Sequence, residues 1–280
     1  MSFASAFRRR NTGRAAILLA LAAASSSALA QQSPALDRIS IWLGGYDAHA
    51  DTTIGASDKS NRYGGDFSLE KDLGFKDHKR VPRARIDFLL GDSQGFSLDY
   101  YSVNRENSRS LSRGISYNGN DYNAAASVRG KLNFDFGSAA YRWWLGHGND
   151  VFGVGLGGAW YRVHAGISGE ASVNGNSVGQ ASSSTTDSAW APMLQLGWRH
   201  AFNDQWRMYL DAAGVKKNGG RLNGHIVNAA LGVEYFPWQN VGFGAEYGYS
   251  RVVLHQRKHD YNANLDMKLD GPSLFVRFRF

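Results

Sequence analysis

The sequence has no cysteine, no Lys/Arg-rich run after residue 30 and no long apolar stretch in that part of the chain. Without cysteine the fold uses no disulfides. Without a basic run, nothing in the mature sequence suggests a nucleic-acid partner. No stretch after residue 30 approaches the roughly 18 apolar residues that a transmembrane helix needs, so any membrane crossing there must be made by strands.

The first 30 residues have the features of a secretory signal peptide. Arginines at positions 8, 9, 10 and 14 precede a short apolar run at 15–23, and Ala28-Leu29-Ala30 supplies a small-residue cleavage site. The apolar run is too short to span a bilayer of about 30 Å. We therefore predict that residues 1–30 are removed and that the mature chain, residues 31–280, leaves the cytoplasm. Removing four arginines from 31 basic residues, against 24 acidic ones, lowers the net charge from +7 to +3.

From residue 36 onward, alternating segments of about ten residues are separated in turn by short and long polar connections. Short turns at 91–95, 146–150, 202–205 and 237–240 alternate with long connections at 51–81, 107–127, 171–188, 217–224 and 258–267. This pattern is typical of a transmembrane β-barrel with tight periplasmic turns and longer extracellular loops. The predicted strands are 38–50, 82–91, 95–106, 128–145, 150–169, 189–202, 206–216, 221–236, 241–257 and 268–280.

Ten is an even number, which places both termini on the periplasmic side of a single-chain barrel. Eight and twelve strands stay open as alternatives, because residues 64–75 are also partly strand-like. The predicted fold is all-β: one antiparallel, up-and-down transmembrane barrel formed by residues 31–280.

Alternation within the strands assigns their faces. In the ninth predicted strand, Val241, Phe243 and Tyr247 alternate with glycines and Glu246. In a membrane barrel the apolar set faces lipid and the small or charged set faces the lumen. A soluble barrel would show the same period with the faces exchanged, so periodicity alone does not decide between them.

Aromatic residues beside the short turns favour the membrane barrel, because amphipathic rings prefer the headgroup level. The predicted periplasmic girdle consists of Trp143, Trp144, Phe202, Trp206, Phe236, Trp238 and Phe280. The final strand, "SLFVRFRF", alternates and ends on Phe280. An ending of this kind resembles the signal that the barrel-assembly machinery reads in outer-membrane proteins, and it makes that machinery an expected partner during biogenesis.

The chain resembles an uncharacterised family of Gram-negative outer-membrane β-barrels, within the porin-like superfamily. The resemblance rests on "FSLEKDLGF", "FSLDYYSVNRENSRSLSRGI", "AAYRWWL", "VFGVGLGGAWYRV", "LGVEYFPWQNVGFGAEYGYSR" and "LDGPSLFVRFRF". It covers nearly the whole mature chain, apart from residues 171–188. It implies the barrel and the outer membrane, and it brings no catalytic residues.

The segment "DAHAD" is a candidate catalytic site, because Asp47, His49 and Asp51 share one face of a strand near its extracellular end. A histidine between carboxylates can form a hydrolytic dyad or a metal site. The position is similar to that of the Asp and His residues at the rim of omptin-type outer-membrane proteases. However, Leu43 has the same parity, so these residues point outward unless a bulge at Gly44-Gly45 reverses the face.

Four further polar residues lie near extracellular strand ends: His164, His255, His259 and Asp260. They would join His49 only if the loops brought them together. The serine and threonine run at 182–186 is interpreted as a flexible loop. The glycines of "GVGLGG" at 153–158 are interpreted as relieving crowding inside the barrel and not as a phosphate loop.

A set of charged residues is predicted to face the lumen. Its members are Arg83, Arg85, Asp87, Asp99, Asp135, Arg142, Arg199, Arg207, Asp211, Glu234, Glu246, Arg277 and Arg279. Both signs are present, so the charges either pair across a narrow barrel and fill it or line a conducting pore. If the lumen is open, the arginines at 83, 85, 277 and 279 predict anion preference.

The leading functional hypothesis is a narrow pore or structural barrel whose extracellular loops make surface contacts. The alternatives are a rim-located hydrolase acting on lipid or peptide, and an adhesin or ligand-binding barrel with determinants in residues 107–127 and 171–188. A non-enzymatic role is favoured, although an enzymatic role stays open as an alternative. We expect a monomer surrounded by outer-membrane lipid, without cofactor, bound metal or nucleic acid.

Overall fold

The computed structural model describes residues 33–58, 64–111, 115–117, 120–122, 127–173, 176–257 and 261–280. The predicted signal peptide lies outside these residues and stays a prediction, as do His259 and Asp260. No helix within the described residues is long and apolar enough to cross a membrane.

Ten antiparallel strands pair in a closed ring, which confirms the predicted barrel and its strand number. They are β1 (Ile39–Asp58), β3 (His78–Leu90), β4 (Gln94–Ser110), β7 (Ser127–His147), β8 (Asp150–Val173), β9 (Asn176–Ala201), β10 (Trp206–Lys217), β11 (Leu222–Tyr235), β12 (Val241–Arg257) and β13 (Tyr261–Arg279). Each strand pairs with its neighbour in chain order, and β1 closes the ring on β13. Beyond that ladder, Ile39 and Phe280 exchange backbone hydrogen bonds of 3.0 and 2.9 Å.

Three short strands lie among the extracellular connections. Strand β2 (Gly64–Ser68) pairs with β1 as a side branch. Strands β5 (Ile115–Tyr117) and β6 (Asn120–Tyr122) form a hairpin that meets β8 opposite Ser172. The partly strand-like segment at 64–75 therefore adds no strand to the barrel wall.

The extracellular ends of the strands extend further than the sequence predicts. Residues 171–188, expected to be a loop, are mostly the tips of β8 and β9, which stay paired up to Val173 and Asn176. The serine and threonine run at 182–186 lies within β9 and alternates between faces, with Ser183 and Thr185 buried. Its polarity suggested a loop, but polar side chains are also what a strand above a membrane presents to water.

A belt of exposed apolar side chains surrounds the half of the barrel next to the short turns, which we call the lower part; the half next to the long connections is the upper part. It includes Leu43, Phe88, Leu98, Leu156, Leu194, Leu210, Leu231, Phe243 and Leu274, which are 39 to 74% exposed. Trp160 and Trp190 stand opposite each other on β8 and β9 at its upper edge. Above them, the outward positions of the same strands carry Arg162 and Ser188, so the belt ends there.

Two members of the predicted periplasmic girdle lie inside the barrel, which corrects the prediction. Trp144 is 8% exposed and Phe236 is 2% exposed, whereas Trp143, Phe202, Trp206, Trp238 and Phe280 are exposed. The reason is parity. Trp144 shares its face with Arg142, and Phe236 shares its face with Glu234, so both rings point inward.

The faces exchange their character along the length of single strands. In the lower part of β12, Phe243 is exposed and Glu246 is buried, as expected for a strand in lipid. In its upper part, Val252 and Leu254 are buried and Arg251 is exposed, as in a soluble barrel. Strands β4, β7 and β13 change in the same way. The lumen is therefore charged in its lower part and apolar in its upper part. The sequence predicts small or charged side chains facing the lumen along the whole strand, so this prediction holds only for the lower part.

The upper lumen is filled by a continuous apolar cluster. Its members include Val81, Tyr101, Val103, Leu132, Phe134, Phe136, Tyr161, Ile226, Val252, Leu254, Met267 and Leu269. Strand β2 packs into the same cluster through Phe67, and the connection between β2 and β3 does so through Leu69, Leu73 and Phe75. Gly130 permits this packing, because a Cβ there would lie 2.8 Å from Leu73 and 3.0 Å from the Phe75 ring.

Candidate functional site

The lower lumen contains six arginines and six carboxylates whose side chains are at most 30% exposed. The arginines are Arg83, Arg85, Arg142, Arg199, Arg207 and Arg277. The carboxylates are Asp37, Asp87, Asp99, Asp211, Glu234 and Glu246. Their formal charges cancel, and together with the aromatic rings among them they form the lumen ion-pair layer.

One cluster of this layer lies on β3, β4, β10 and β12. Arg83 donates to both carboxylate oxygens of Asp99, at 2.9 and 2.5 Å. Arg85 pairs with Glu246 at 2.7 Å, and the Tyr209 hydroxyl donates to the same carboxylate at 2.6 Å. Since Glu246 is 3% exposed, these donors replace the water that the carboxylate loses on burial.

A second cluster lies between β7, β9 and β10. Arg199 donates to both oxygens of Asp211, at 3.0 and 2.9 Å. Arg142 donates to the Gln195 side-chain oxygen at 2.7 Å and contacts Asp211 at 3.3 Å. The Trp144 ring lies 5.2 Å from the Arg142 guanidinium and 5.1 Å from that of Arg199. The inward Trp144 is thus a cation–π partner within the lumen.

The glycines of "GVGLGG" make room for this cluster. A Cβ at Gly153 would lie 2.8 Å from the Trp144 ring, and one at Gly155 would lie 3.2 Å from Gln195. Both glycines lie on the inward face of β8, as the sequence pattern indicated.

The third cluster closes the periplasmic end and includes a residue that the sequence prediction missed. Arg277 donates to Glu234 at 2.5 Å and to the Ser40 hydroxyl at 2.8 Å. Asp37, from the segment before β1, accepts from Arg207 at 2.8 and 2.9 Å and lies 3.8 Å from Arg277. A charge before the first strand carries no alternation signal, so periodicity could not place Asp37 in the lumen.

The segment carrying Asp37 is held across the periplasmic end of the barrel. The Ser33 hydroxyl donates to the Gly148 carbonyl at 2.5 Å, in the turn between β7 and β8. Ala35 and Leu36 pack against Trp144, Val151 and Ala201. Residues 33–37 therefore connect opposite sides of the wall and cover the charged clusters from below.

Little free space remains within the ion-pair layer. A cavity of about 50 Å³ is lined by Arg83, Arg85, Arg142, Arg199 and Arg277 among other residues. It has room for roughly three or four waters. A second cavity, of about 40 Å³, lies in the upper lumen between Ile54, Leu132, Leu222 and Leu254. Neither volume approaches the several hundred Å³ of a small-molecule site.

The predicted lumen charges are placed inside the barrel with two exceptions. Asp135 lies on the outward face of β7, where the Ser102 hydroxyl donates to it at 2.7 Å, so its predicted inward orientation is wrong. Its neighbours Phe134 and Phe136 take the inward positions. Arg279 points inward but lies at the periplasmic edge, with its guanidinium 3.9 Å from the Phe236 ring.

The chain matches no family model and no curated protein sequence. Its structure is similar to that of the outer membrane protease OmpT from Escherichia coli, with a TM-score of 0.54, 11% identity, and coverage of 86% of this chain and 96% of that chain. It also resembles the translocator domain of the autotransporter NalP from Neisseria meningitidis, with a TM-score of 0.46, 14% identity, and coverage of 96% and 95%. The likeness to OmpT, together with the apolar belt, decides the fold. The chain has the fold of an outer-membrane β-barrel, and it is located in the bacterial outer membrane.

The "DAHAD" residues of this outer-membrane barrel point away from its lumen. The β1–β3 register runs without a bulge from Ile39 opposite Phe88 to His49 opposite His78. Asp47, His49 and Asp51 are consequently exposed on the outer surface. His164 and His255, which were named from the sequence, also lie on outward faces, as does His78, the β3 partner of His49.

Within the described residues, the rim histidines at positions 49, 164 and 255 do not converge on one another as the sequence hypothesis required. His164 contacts Thr186 at 2.7 Å, and His255 contacts Asn264 at 2.8 Å. Instead, His49 is joined by His78 and Asp77, a group that was missed because Asp77 and His78 fall in a predicted loop.

Proposed function

We propose that this protein is a closed, structural outer-membrane barrel whose extracellular extension makes surface contacts, and that it is not a conducting pore. The observation that carries the proposal is the filling of the lumen. A charge-balanced ion-pair layer occupies its lower part, and an apolar cluster occupies its upper part. An ion crossing the barrel would have to separate buried ion pairs and then enter an apolar core, and both steps are costly.

The connection between β2 and β3 supports the proposal at the extracellular end. Arg105 is 4% exposed and donates to Glu70 at 2.6 Å, to the Thr52 hydroxyl at 2.8 Å and to the Lys76 carbonyl at 2.7 Å. These bonds hold the connection against the wall while its apolar side chains fill the lumen.

The upward extension of the barrel supports the second half of the proposal. Strand β8 continues 13 residues beyond Trp160 to Val173, which is about 44 Å along a strand. The β5–β6 hairpin packs against this extension through Tyr122, which is fully buried and donates to the Ile167 carbonyl at 3.3 Å. Burial raises the pKa of the Tyr122 phenol. The region above the lipid thus has its own core, as a surface for partner contacts requires.

The placement of the histidines does not favour the rim hydrolase. A hydrolytic site in a barrel mouth needs a general base directed at the enclosed substrate. Among the described residues, His49, His78, His164 and His255 instead lie on outward faces, and none faces the lumen beside a hydroxyl nucleophile.

Single-channel recording tests the proposal. The refolded mature chain, residues 31–280, is inserted in a planar bilayer, and folding is checked by heat-modifiable gel migration. We expect no conductance steps from the wild type or from the outward control Lys131→Ala. Reproducible steps whose size or ion selectivity changes in Arg83→Ala/Arg277→Ala would instead establish a water-filled lumen and contradict the proposal.

A further inference from the structure

Three potential metal ligands meet on the outer surface of the barrel, above the apolar belt. His49 on β1 stands directly opposite His78 on β3, with ring centroids 5.5 Å apart. Asp77 precedes His78 in the chain. One ligating atom from each of His49, Asp77 and His78 lies within 4.8 Å of the other two, and all three side chains are exposed.

The backbone that carries these ligands is fixed by the barrel. Unbroken antiparallel pairing with β3 runs along β1 from Ile39 to His49, and on its other side His49 pairs with Asp270 of β13. The Ala50 amide donates to the Asp77 carbonyl at 2.6 Å, and Arg105 donates to the carbonyl of the preceding Lys76. The ligand positions are therefore preorganised, and only side-chain rotation is left to complete a site.

The neighbouring charges leave this group free to bind a cation. Asp47 stands opposite Arg80, and Asp51 stands opposite Lys268, so each of these aspartates has a basic neighbour across the ladder. His49 has His78 on one side and Asp270 on the other, and Asp270 accepts a hydrogen bond from Tyr247 at 2.9 Å. The two imidazoles and the Asp77 carboxylate thus have no basic side chain directly across the ladder.

We propose that His49, Asp77 and His78 form a binding site for a Zn²⁺-type divalent cation on the outer surface. Two imidazole nitrogens and one carboxylate oxygen suit this class of ion, whereas Ca²⁺ needs six to eight oxygen ligands. Tetrahedral coordination at 2.0–2.1 Å separates ligating atoms by about 3.3 Å. Exposed side chains reach this spacing from 4.8 Å by small rotations, and the fourth position is left to water.

Isothermal titration of the refolded mature chain, purified without a histidine tag, with ZnCl₂ tests the site. The variants are His49→Ala, His78→Ala and Asp77→Asn. His225→Ala is the matched control, because His225 is an exposed outward histidine that belongs to no such ligand group within the described residues. All four positions are exposed, and heat-modifiable migration confirms that each variant is folded.

We expect one saturable Zn²⁺ site in the wild type and in His225→Ala, and no saturable response to CaCl₂. Each of the three ligand variants should bind Zn²⁺ at least tenfold more weakly. The proposal is overturned if the wild type shows no saturable binding, or if the affinity for Zn²⁺ is unchanged in any of the three ligand variants.

Discussion

Asp37 provides the strongest test of the lumen ion-pair layer, because it lies outside the strands and yet supplies the sixth carboxylate. Both of its oxygens accept from Arg207, and the two side chains are 7% and 9% exposed. No other carboxylate within the described residues pairs with Arg207. Asp37→Asn therefore removes one charge, retains the size of the side chain and leaves a buried guanidinium without its counter-ion.

The expected cost follows from the burial of the pair. Breaking a buried ion pair by removing one partner costs about 3–5 kcal/mol, because the remaining charge stays desolvated. Arg277 also loses a contact at 3.8 Å but keeps Glu234 at 2.5 Å, so it adds little. We expect Asp37→Asn to lower the free energy of unfolding by about 3 kcal/mol.

Urea unfolding in lipid vesicles, followed by tryptophan fluorescence, measures this loss. The matched control is Asp92→Asn, because Asp92 pairs at 3.7 Å with Arg38 and these side chains are 43% and 62% exposed, respectively. Loss of this exposed pair should lower the free energy of unfolding by less than about 1 kcal/mol. In Asp37→Asn/Arg207→Met, the loss should be smaller than the sum of the single losses, because the unpaired charge is gone. Equal losses in Asp37→Asn and Asp92→Asn would show that residues 33–37 are not part of the folded core.

Two further substitutions test the packing of the lower and upper lumen by the same unfolding assay. Gly153→Ala places a Cβ 2.8 Å from the Trp144 ring and should lower the free energy of unfolding by about 1–3 kcal/mol. The control Gly214→Ala, whose Cβ would have no atom within 4 Å, should lower it by less. Equal losses would contradict the packing of Trp144 against Gly153. Phe134→Ala removes a fully buried ring above the belt and should cost about 3–5 kcal/mol, against about 0.5 kcal/mol or less for the neighbouring outward Asn133→Ala. If Phe134→Ala lowered the free energy of unfolding by less than about 1 kcal/mol, the apolar cluster of the upper lumen would not be tightly packed around this ring.

Strand number and the orientation of the lower strands were predictable from sequence because both depend on local patterns. Short turns at 91–95 and 237–240 end strands within a residue or two of the observed bounds. Alternation in "VGFGAEYGYS" assigned Phe243 outward and Glu246 inward, as observed. A slip of one residue would have reversed every side chain, so the period carries this information strongly.

The composition of the upper lumen and the membership of the sites were not predictable in the same way. Face assignment assumed that one rule holds along a whole strand, whereas β12 obeys the membrane rule at Phe243 and the soluble rule at Val252. Asp37 and Asp77 lie outside the alternating segments, so only the three-dimensional structure brings them to Arg207 and His49. Such contacts depend on tertiary placement and leave no periodic signal.

The exchange of faces has a physical reason that connects the fold to the proposed function. In lipid the outer face of a strand must be apolar, so an inner face that is also apolar would leave nothing to specify which side points inward. Buried ion pairs such as Arg85 with Glu246 supply that distinction, although they add little net stability. Above Trp160 and Trp190 the outer face meets water, and burying Phe134 and Leu132 inside becomes favourable through the hydrophobic effect. The level at which the two rules exchange therefore marks the outer boundary of the apolar belt, with the ion-pair layer inside the barrel below it and the apolar cluster inside the barrel above it.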